Sequence, residues 1–158
     1  MVEAARTASP AVQKLLAGAS YKDVAGLGDG ELEVLYGIAY GEFEQGKFAE
    51  AERTFGVLSF FDHKDDRFWL GLGASRQRQK KLPEAVAAYS MAAGMGSSNP
   101  LLPLSAAECY LALGLRAEAL DALEAAIEWA DNAEQPDRIV TRVAALLESL
   151  EQDGATKN

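Results

Sequence analysis

The sequence predicts an all-α fold built from repeated pairs of helices. Three alanines, Ala51, Ala85 and Ala119, are separated by 34 residues each, and each lies in a similar frame. A bulky apolar side chain follows every one of these alanines by four residues, and a small residue precedes it by twelve. A period of this length indicates a helix–turn–helix unit that stacks on its neighbours.

This period and frame are typical of tetratricopeptide repeats, which stack into a right-handed superhelix with a concave inner face. We expect three repeats and a C-terminal capping helix within residues 31–151, a tail and a helix within residues 1–30, and a disordered tail at residues 152–158. Because a concave face offers a groove, binding is the expected function rather than catalysis.

The repeat frame also sets the expected elements. The A and B helices of the repeats are expected at 31–45 and 48–61, at 66–79 and 83–95, and at 101–113 and 116–129. Prolines fit the first turn of a helix, where their missing N–H has no partner to lose, so further helices are expected to begin at Pro10 and Pro136. A short helix is expected at Tyr21–Ala25 between glycine-containing turns. After Pro136, apolar residues recur at helical spacing and predict the capping helix: Ile139, Val140, Val143, Leu146, Leu147 and Leu150.

Composition and charge exclude several function classes. Hydrophobic residues make up 49% of the 158 residues, too many for a disordered chain. The net charge of −9 argues against nucleic acid as a ligand, because phosphate binding needs clustered Lys and Arg. No apolar run approaches the roughly 20 residues that span a bilayer, and the N-terminus lacks the pattern of a secretory signal. With a single cysteine, Cys109, the chain has no internal disulfide, and we expect a soluble cytoplasmic protein.

The search for catalytic chemistry finds one candidate, His63. It could pair with Asp62 or Asp66, but no nucleophile motif, phosphate-binding loop or metal-ligand pattern accompanies it. The neighbouring aspartates lack the regular oxygen spacing of a calcium loop, and helix capping is their expected role. We therefore predict no catalytic residue, no metal and no cofactor.

Aromatic residues on the first A helix are more informative. Tyr36, Tyr40 and Phe43 recur at spacings of four and three, which places them on one face. The repeat frame directs that face toward the concave surface, while Leu35, Ile38 and Ala39 fill the core positions. Aliphatic residues of the second and third repeats fall in comparable columns and extend the predicted groove: Leu70, Ala74, Leu104 and Leu111.

The same columns indicate the kind of ligand. Some repeat proteins hold a peptide's C-terminal carboxylate with Lys and Asn on this face, but Tyr36 and Tyr40 occupy those columns here. The expected ligand is therefore an apolar segment, extended or helical. An adaptor that binds a polar motif of a soluble protein remains the alternative.

Several short motifs together resemble class II type III secretion chaperones, which bind translocator proteins of bacterial injection systems. The resemblance covers residues 12–129 and is carried by Leu35–Tyr40, Gln45–Phe48, Asp62–His63, Arg67–Ala74, Ala88–Ser90 and Ala106–Cys109. It implies a cytoplasmic bacterial chaperone that shields hydrophobic, membrane-inserting translocators until export, without entering the membrane itself.

The resemblance also implies roles for individual residues. The groove would be lined by aromatic residues and one histidine: Tyr36, Tyr40, Phe43, Phe48, Phe61, His63 and Tyr89. The N-terminal helix of such chaperones is commonly used for homodimerisation, which assigns Val12, Leu15 and Leu16 to a dimer interface.

Overall fold

The computed structural model describes residues 9–155, apart from the side chains of Val12, Leu16 and residues 153–155. All regular elements in this range are helical. They are α1 (Pro10–Leu16), α2 (Tyr21–Ala25), α3 (Asp29–Glu44), α4 (Phe48–Phe61), α5 (Asp66–Arg78), α6 (Leu82–Gly94), α7 (Leu101–Ala112), α8 (Arg116–Glu128), a 3₁₀ turn (Ala130–Asn132) and α9 (Pro136–Ala155).

The helices form three stacked pairs, α3/α4, α5/α6 and α7/α8, and each repeat helix packs on the next one along the chain. The first helix of each pair also contacts the first helix of the following pair, whereas within residues 9–155 the second helices do not touch one another. The stack therefore curves toward α3, α5 and α7, which form its inner face. This arrangement confirms the all-α repeat fold that the 34-residue period predicts.

The turns inside the repeats share one backbone conformation. Gly46, Lys80 and Gly114 occupy equivalent positions and have φ angles of 76°, 63° and 75°. This left-handed region favours glycine, and Lys80 is the non-glycine residue in the described range that adopts it. The same turn in all three repeats explains why the helix boundaries follow the period so closely.

Small residues set the distance between helices. Ala39, Ala51, Ala85, Ala107 and Ala119 are fully buried between packed helices. Two glycines in α5 allow still closer contact. A methyl group on Gly71 would overlap the ring of Phe55, and one on Gly73 would overlap the ring of Tyr89. The small residues that the 34-residue frame aligns therefore lie at close helix contacts, and aromatic neighbours account for both glycines of α5.

Three sequence-based expectations about individual segments are wrong. Ile38 is 51% exposed and contributes nothing to the core, because it lies on the outer side of α3, where no preceding repeat covers it. In the capping helix, Val140 and Leu147 are exposed beside the buried Ile139 and Val143. The predicted tail at 152–158 is also shorter, because α9 continues to Ala155; residues 156–158 lie outside the described range.

Helix α9 covers the end of the stack as predicted. Its buried residues Ile139, Val143 and Leu150 pack in one cluster with Leu104 and Leu123. Polar contacts fix its position at both ends. The Arg116 guanidinium donates to the carbonyl oxygen of Leu150 over 2.6 Å, and the Arg142 guanidinium contacts the Glu108 carboxylate at 2.7 Å.

A charge network centred on Glu52 joins α4 to the turn between α5 and α6. The Glu52 carboxylate accepts hydrogen bonds from Arg76 at 3.0 Å, Lys81 at 2.7 Å and Gln79 at 2.8 Å. Burial is the largest single influence and raises the pKa of Glu52, but the three hydrogen bonds together lower that pKa to about 2. The network therefore favours the ionised carboxylate in the folded state.

We expect Glu52→Gln to lower the free energy of unfolding at pH 7 by about 1–2 kcal/mol, since the partners are partly exposed to water. The folded-state pKa lies below the ordinary value of 4.5, so the contribution is present above that pH and is lost as the pH falls toward 2. Urea unfolding of both proteins at pH 7 and pH 3 measures this. A difference that does not shrink at pH 3 would contradict the assignment.

Candidate functional site: an aromatic groove on the inner face

The centre of the site is a group of rings around Tyr36 on α3. Tyr36 is half-buried, with its ring 6.0 Å from that of Phe55 and 5.9 Å from that of Phe68. Burial raises the pKa of its hydroxyl. The ring of Tyr40 lies 6.4 Å from that of Tyr36, one helical turn further along, and Tyr40 is 52% exposed. Tyr36 thus links the exposed ring of Tyr40 to the buried rings of the core.

Arg67 holds the Tyr36 ring from the side of α5. Its guanidinium carbon lies 4.9 Å from the centre of that ring. The same guanidinium contacts Asp65 at 2.6 Å and Glu33 at 2.5 Å. The hydrogen bonds to Asp65 and then to Glu33 raise the pKa of Arg67. Because two carboxylates surround the guanidinium, they offset its positive charge. Arg67 therefore serves to hold the Tyr36 ring in place.

A second aromatic group lies at the C-terminal end of α3. The rings of Phe43 and Phe48 meet edge to face at 5.2 Å, and both residues are half-buried. The guanidinium carbon of Arg78 lies 4.3 Å from the centre of the Phe48 ring and 5.7 Å from that of Phe43. The inner face of α3 is therefore aromatic along its length, with one arginine of α5 at each end.

The inner face continues across the later repeats. Leu70 and Ala74 on α5 and Leu111 on α7 are half-buried, as groove positions require. An open cleft of about 1280 Å³ is bordered by the loops between repeats and by α7 and α9. Its lining combines apolar residues such as Ile139 with charged ones, among them Asp62, Arg138 and Arg142.

Two predicted groove residues offer almost no accessible surface. Tyr89 is only 1% exposed because its ring fills the space above Gly73, and its hydroxyl donates to Oε1 of Gln77 over 2.8 Å. Leu104 is 6% exposed and packs in the core beneath α9. Both side chains are packed in the core, which leaves little of either for contact with a ligand in this structure.

Phe61 and His63 lie at the boundary between the first two repeats. Phe61 is half-buried and packs against Phe60, with ring centres 5.6 Å apart. His63 is half-buried in the turn, where its carbonyl oxygen accepts a hydrogen bond from the Trp69 indole at 2.9 Å. The Asp65 side chain caps α5 by accepting the backbone N–H of Arg67. The aspartates of this turn therefore include a helix cap, as expected.

Sequence reasoning missed the arginines that flank the rings. One signal was present, because Arg67 follows its partner Glu33 by 34 residues and Arg142 follows Glu108 by the same number. In each of these pairs an acidic and a basic residue occupy the same position in two successive units of the stack. The two side chains therefore lie on neighbouring helices and form an ion pair. Glu44 also precedes Arg78 by 34 residues, but no ion pair joins the two side chains, and only the position of Arg78 over the rings shows its relation to the groove.

Other chemistry is not supported by the described part of the chain. Within residues 9–152, apart from Val12 and Leu16, no cluster of three His, Cys, Asp or Glu side chains could hold a metal ion. Burial raises the pKa of the Cys109 thiol to about 11, which leaves it protonated and unreactive at neutral pH. Among the described helices, none is both long and apolar enough to cross a membrane.

Comparison with known proteins agrees with this geometry. A family profile described as tetratricopeptide repeat matches residues 32–65. Low calcium response locus protein H of Yersinia pestis is 39% identical over 119 residues, covering 75% of this chain and 71% of that protein.

Two solved structures are similar over most of the chain. The type III secretion translocator chaperone SycD of Yersinia enterocolitica is 36% identical with a TM-score of 0.79, covering 83% of this chain and 98% of that one. PcrH, a protein of Pseudomonas aeruginosa, is 34% identical in its complex with the chaperone-binding region of PopD, with a TM-score of 0.75 and coverage of 84% and 98%. At these identities and coverages, the chain belongs to the family of type III secretion translocator chaperones.

Proposed function

We propose that this chaperone binds an apolar segment of a translocator along the inner face of α3 and α5. The supporting observation is the exposed ring of Tyr40, whose centre lies 6.4 Å from that of the anchored ring of Tyr36. The proposed groove comprises residues that the inner face leaves accessible in whole or in part: Tyr36, Tyr40, Phe43, Phe48, Phe61, His63, Leu70, Ala74 and Leu111. No cofactor, nucleic acid or enzymatic turnover takes part.

The mechanism is the removal of apolar surface from water. Each Å² of buried apolar surface contributes about 25 cal/mol, less the cost of ordering the bound segment. An occupied groove keeps a membrane-inserting protein from aggregating or associating before export. The net charge of −9 keeps the chaperone itself soluble. We further propose that this takes place in the bacterial cytoplasm, where translocators are held before export.

The experiment that tests this function is a calorimetric titration of the chain with the chaperone-binding region of PopD. Burial of apolar surface gives a negative heat-capacity change and an affinity that varies little with salt. An adaptor for a polar motif would instead lose affinity steeply between 50 and 500 mM salt. Absence of binding both to the PopD region and to the chaperone-binding region of PopB would refute the proposal.

We propose that residues 1–30 mediate homodimerisation and that residues 31–151 bind the translocator. Helix α1 packs only on α2 within the described range, and its residue Leu15 is half-buried. The side chains of Val12 and Leu16 lie outside the described residues. Exposed rings of Tyr21 and Phe60, stacked at 4.3 Å, continue this surface onto α4. An apolar surface of this kind fits a second copy of the chain.

Deleting residues 1–18 is expected to convert the dimer to a monomer, because it removes the apolar face of α1. The deletion keeps Ser20, whose side chain and backbone form a capping box with Asp23 at the start of α2. Light scattering gives the mass, and circular dichroism confirms that the repeats remain helical. A truncated chain that still has the mass of a dimer would place the interface elsewhere.

A further inference from the structure

Arg78 differs from the other arginines of α5 in having no acidic partner. Arg67 is paired with Asp65 and Glu33, and Arg76 with Glu52. Within the described residues no carboxylate lies within 4.0 Å of the Arg78 guanidinium, although the chain has 24 acidic residues and 15 basic ones. Its contacts are with the faces of Phe48 and Phe43.

Two structural roles account for part of this arrangement. A positive charge in the last turn of a helix interacts favourably with the helix dipole, and Arg78 is the last residue of α5. The guanidinium also packs against the face of the Phe48 ring, a favourable cation–π contact. Neither role uses the N–H groups at the edges of the guanidinium. These donors lie at an exposed residue beside the aromatic groove.

We propose that Arg78 is a specificity-determining residue that binds a carboxylate of the translocator segment next to an apolar anchor. This inference rests on the proposed function of the groove. The ring contacts hold the guanidinium over Phe48, so little conformational freedom remains to be lost on binding. A planar guanidinium offers paired N–H donors that match the two oxygens of a carboxylate.

The ligand is thereby specified more closely than an apolar segment. An aromatic or aliphatic side chain occupies the surface formed by Tyr40 and Phe43, and an acidic side chain lies beside it, within reach of Arg78. A segment with a lysine at that place would bring two positive charges together and would be rejected. In a chain with an excess of acidic residues, such a fixed positive charge selects among apolar segments of similar hydrophobicity.

The test combines two protein variants with a set of peptides. Arg78→Met keeps an unbranched side chain beside Phe48 and removes the charge and the donors. Arg53→Met removes an equal charge from the exposed side of α4, where no ring contact is made, and serves as the control. The parent peptide is the PopD chaperone-binding region. In one series of variants each acidic side chain is changed in turn to its amide. In a second series one glutamate is placed at successive positions.

The expected result is that one position of the peptide series couples to Arg78. A glutamate there strengthens binding to the parent protein about tenfold over glutamine, and Arg78→Met removes that difference, as charge-assisted hydrogen bonds require. Arg53→Met leaves the difference unchanged. The role of Arg78 would be overturned if Arg78→Met lowered the affinity of the glutamate and glutamine peptides equally, or lowered neither. Both outcomes would leave the proposed groove intact. No binding of any peptide to the parent protein would instead refute the proposed function.

Discussion

Replacing Gly73 with alanine is expected to lower the melting temperature by roughly 5–10 °C, which corresponds to about 2–3 kcal/mol for a chain of this size. The added methyl group would overlap the ring of Tyr89 on α6. That ring cannot move freely, because it is 1% exposed and its hydroxyl is bonded to Gln77. Helices α5 and α6 would therefore separate. Thermal unfolding followed by circular dichroism measures the effect.

Gly56 provides the matched control. It also lies inside a helix, but beyond its chain neighbours and the backbone of its own helix, no described atom lies within 4 Å of the position that its methyl group would take. Gly56→Ala is expected to stabilise the chain by about 0.5–1 kcal/mol through helix propensity alone. Combining Gly73→Ala with Tyr89→Leu should cost less than the sum of the two single changes. Destabilisation of equal size at both glycines would show that close packing is not the cause.

The second large effect concerns binding. Tyr40→Ala combined with Phe43→Ala is expected to weaken binding of the PopD segment at least 100-fold, or about 2.7 kcal/mol, because a few aromatic residues usually carry most of the affinity of an interface. The fold should persist, since Tyr40 is exposed and Phe43 is half-buried. Calorimetric titration gives the affinity, and circular dichroism confirms the helical content.

Val57→Ala combined with Met91→Ala is the control for this pair. Val57 lies on α4 and Met91 on α6, and Met91 is 50% exposed, close to the value for Tyr40. Their removal takes away a similar apolar surface from outside the groove and is expected to leave the affinity within about twofold. If the two double variants lost affinity equally, general surface hydrophobicity rather than the inner face would explain binding.

The sequence was sufficient for the repeat architecture because each repeat supplies the same packing information three times. Buried alanines at positions 51, 85 and 119 fix where the helices cross, and the left-handed turn residues fix where they reverse. The exceptions lie at the two ends of the stack. Ile38 has the pattern of a core residue but no preceding repeat to cover it. The length of α9 depends on contacts such as that of Arg116 with Leu150, which no local pattern reveals.

The groove was predictable only in part, because a hydrophobic side chain can face the groove or the core. Helical spacing predicts Tyr36, Tyr40 and Phe43 for the inner face; the rings of Tyr36 and Tyr40 lie 6.4 Å apart, and Phe43 pairs with Phe48. Tyr89 carries the same kind of ring but fills the space left by Gly73, a pairing between two helices that the spacing of Tyr89 alone does not show.

The most direct measurement of the central claim is site-specific crosslinking. A photoreactive phenylalanine analogue is placed at Tyr40 on the inner face or at Met91, which is similarly exposed on α6. If the translocator segment lies along the inner face, irradiation with the PopD segment will give a crosslinked product from position 40 and none from position 91. A product from position 91 with none from position 40 would contradict the account.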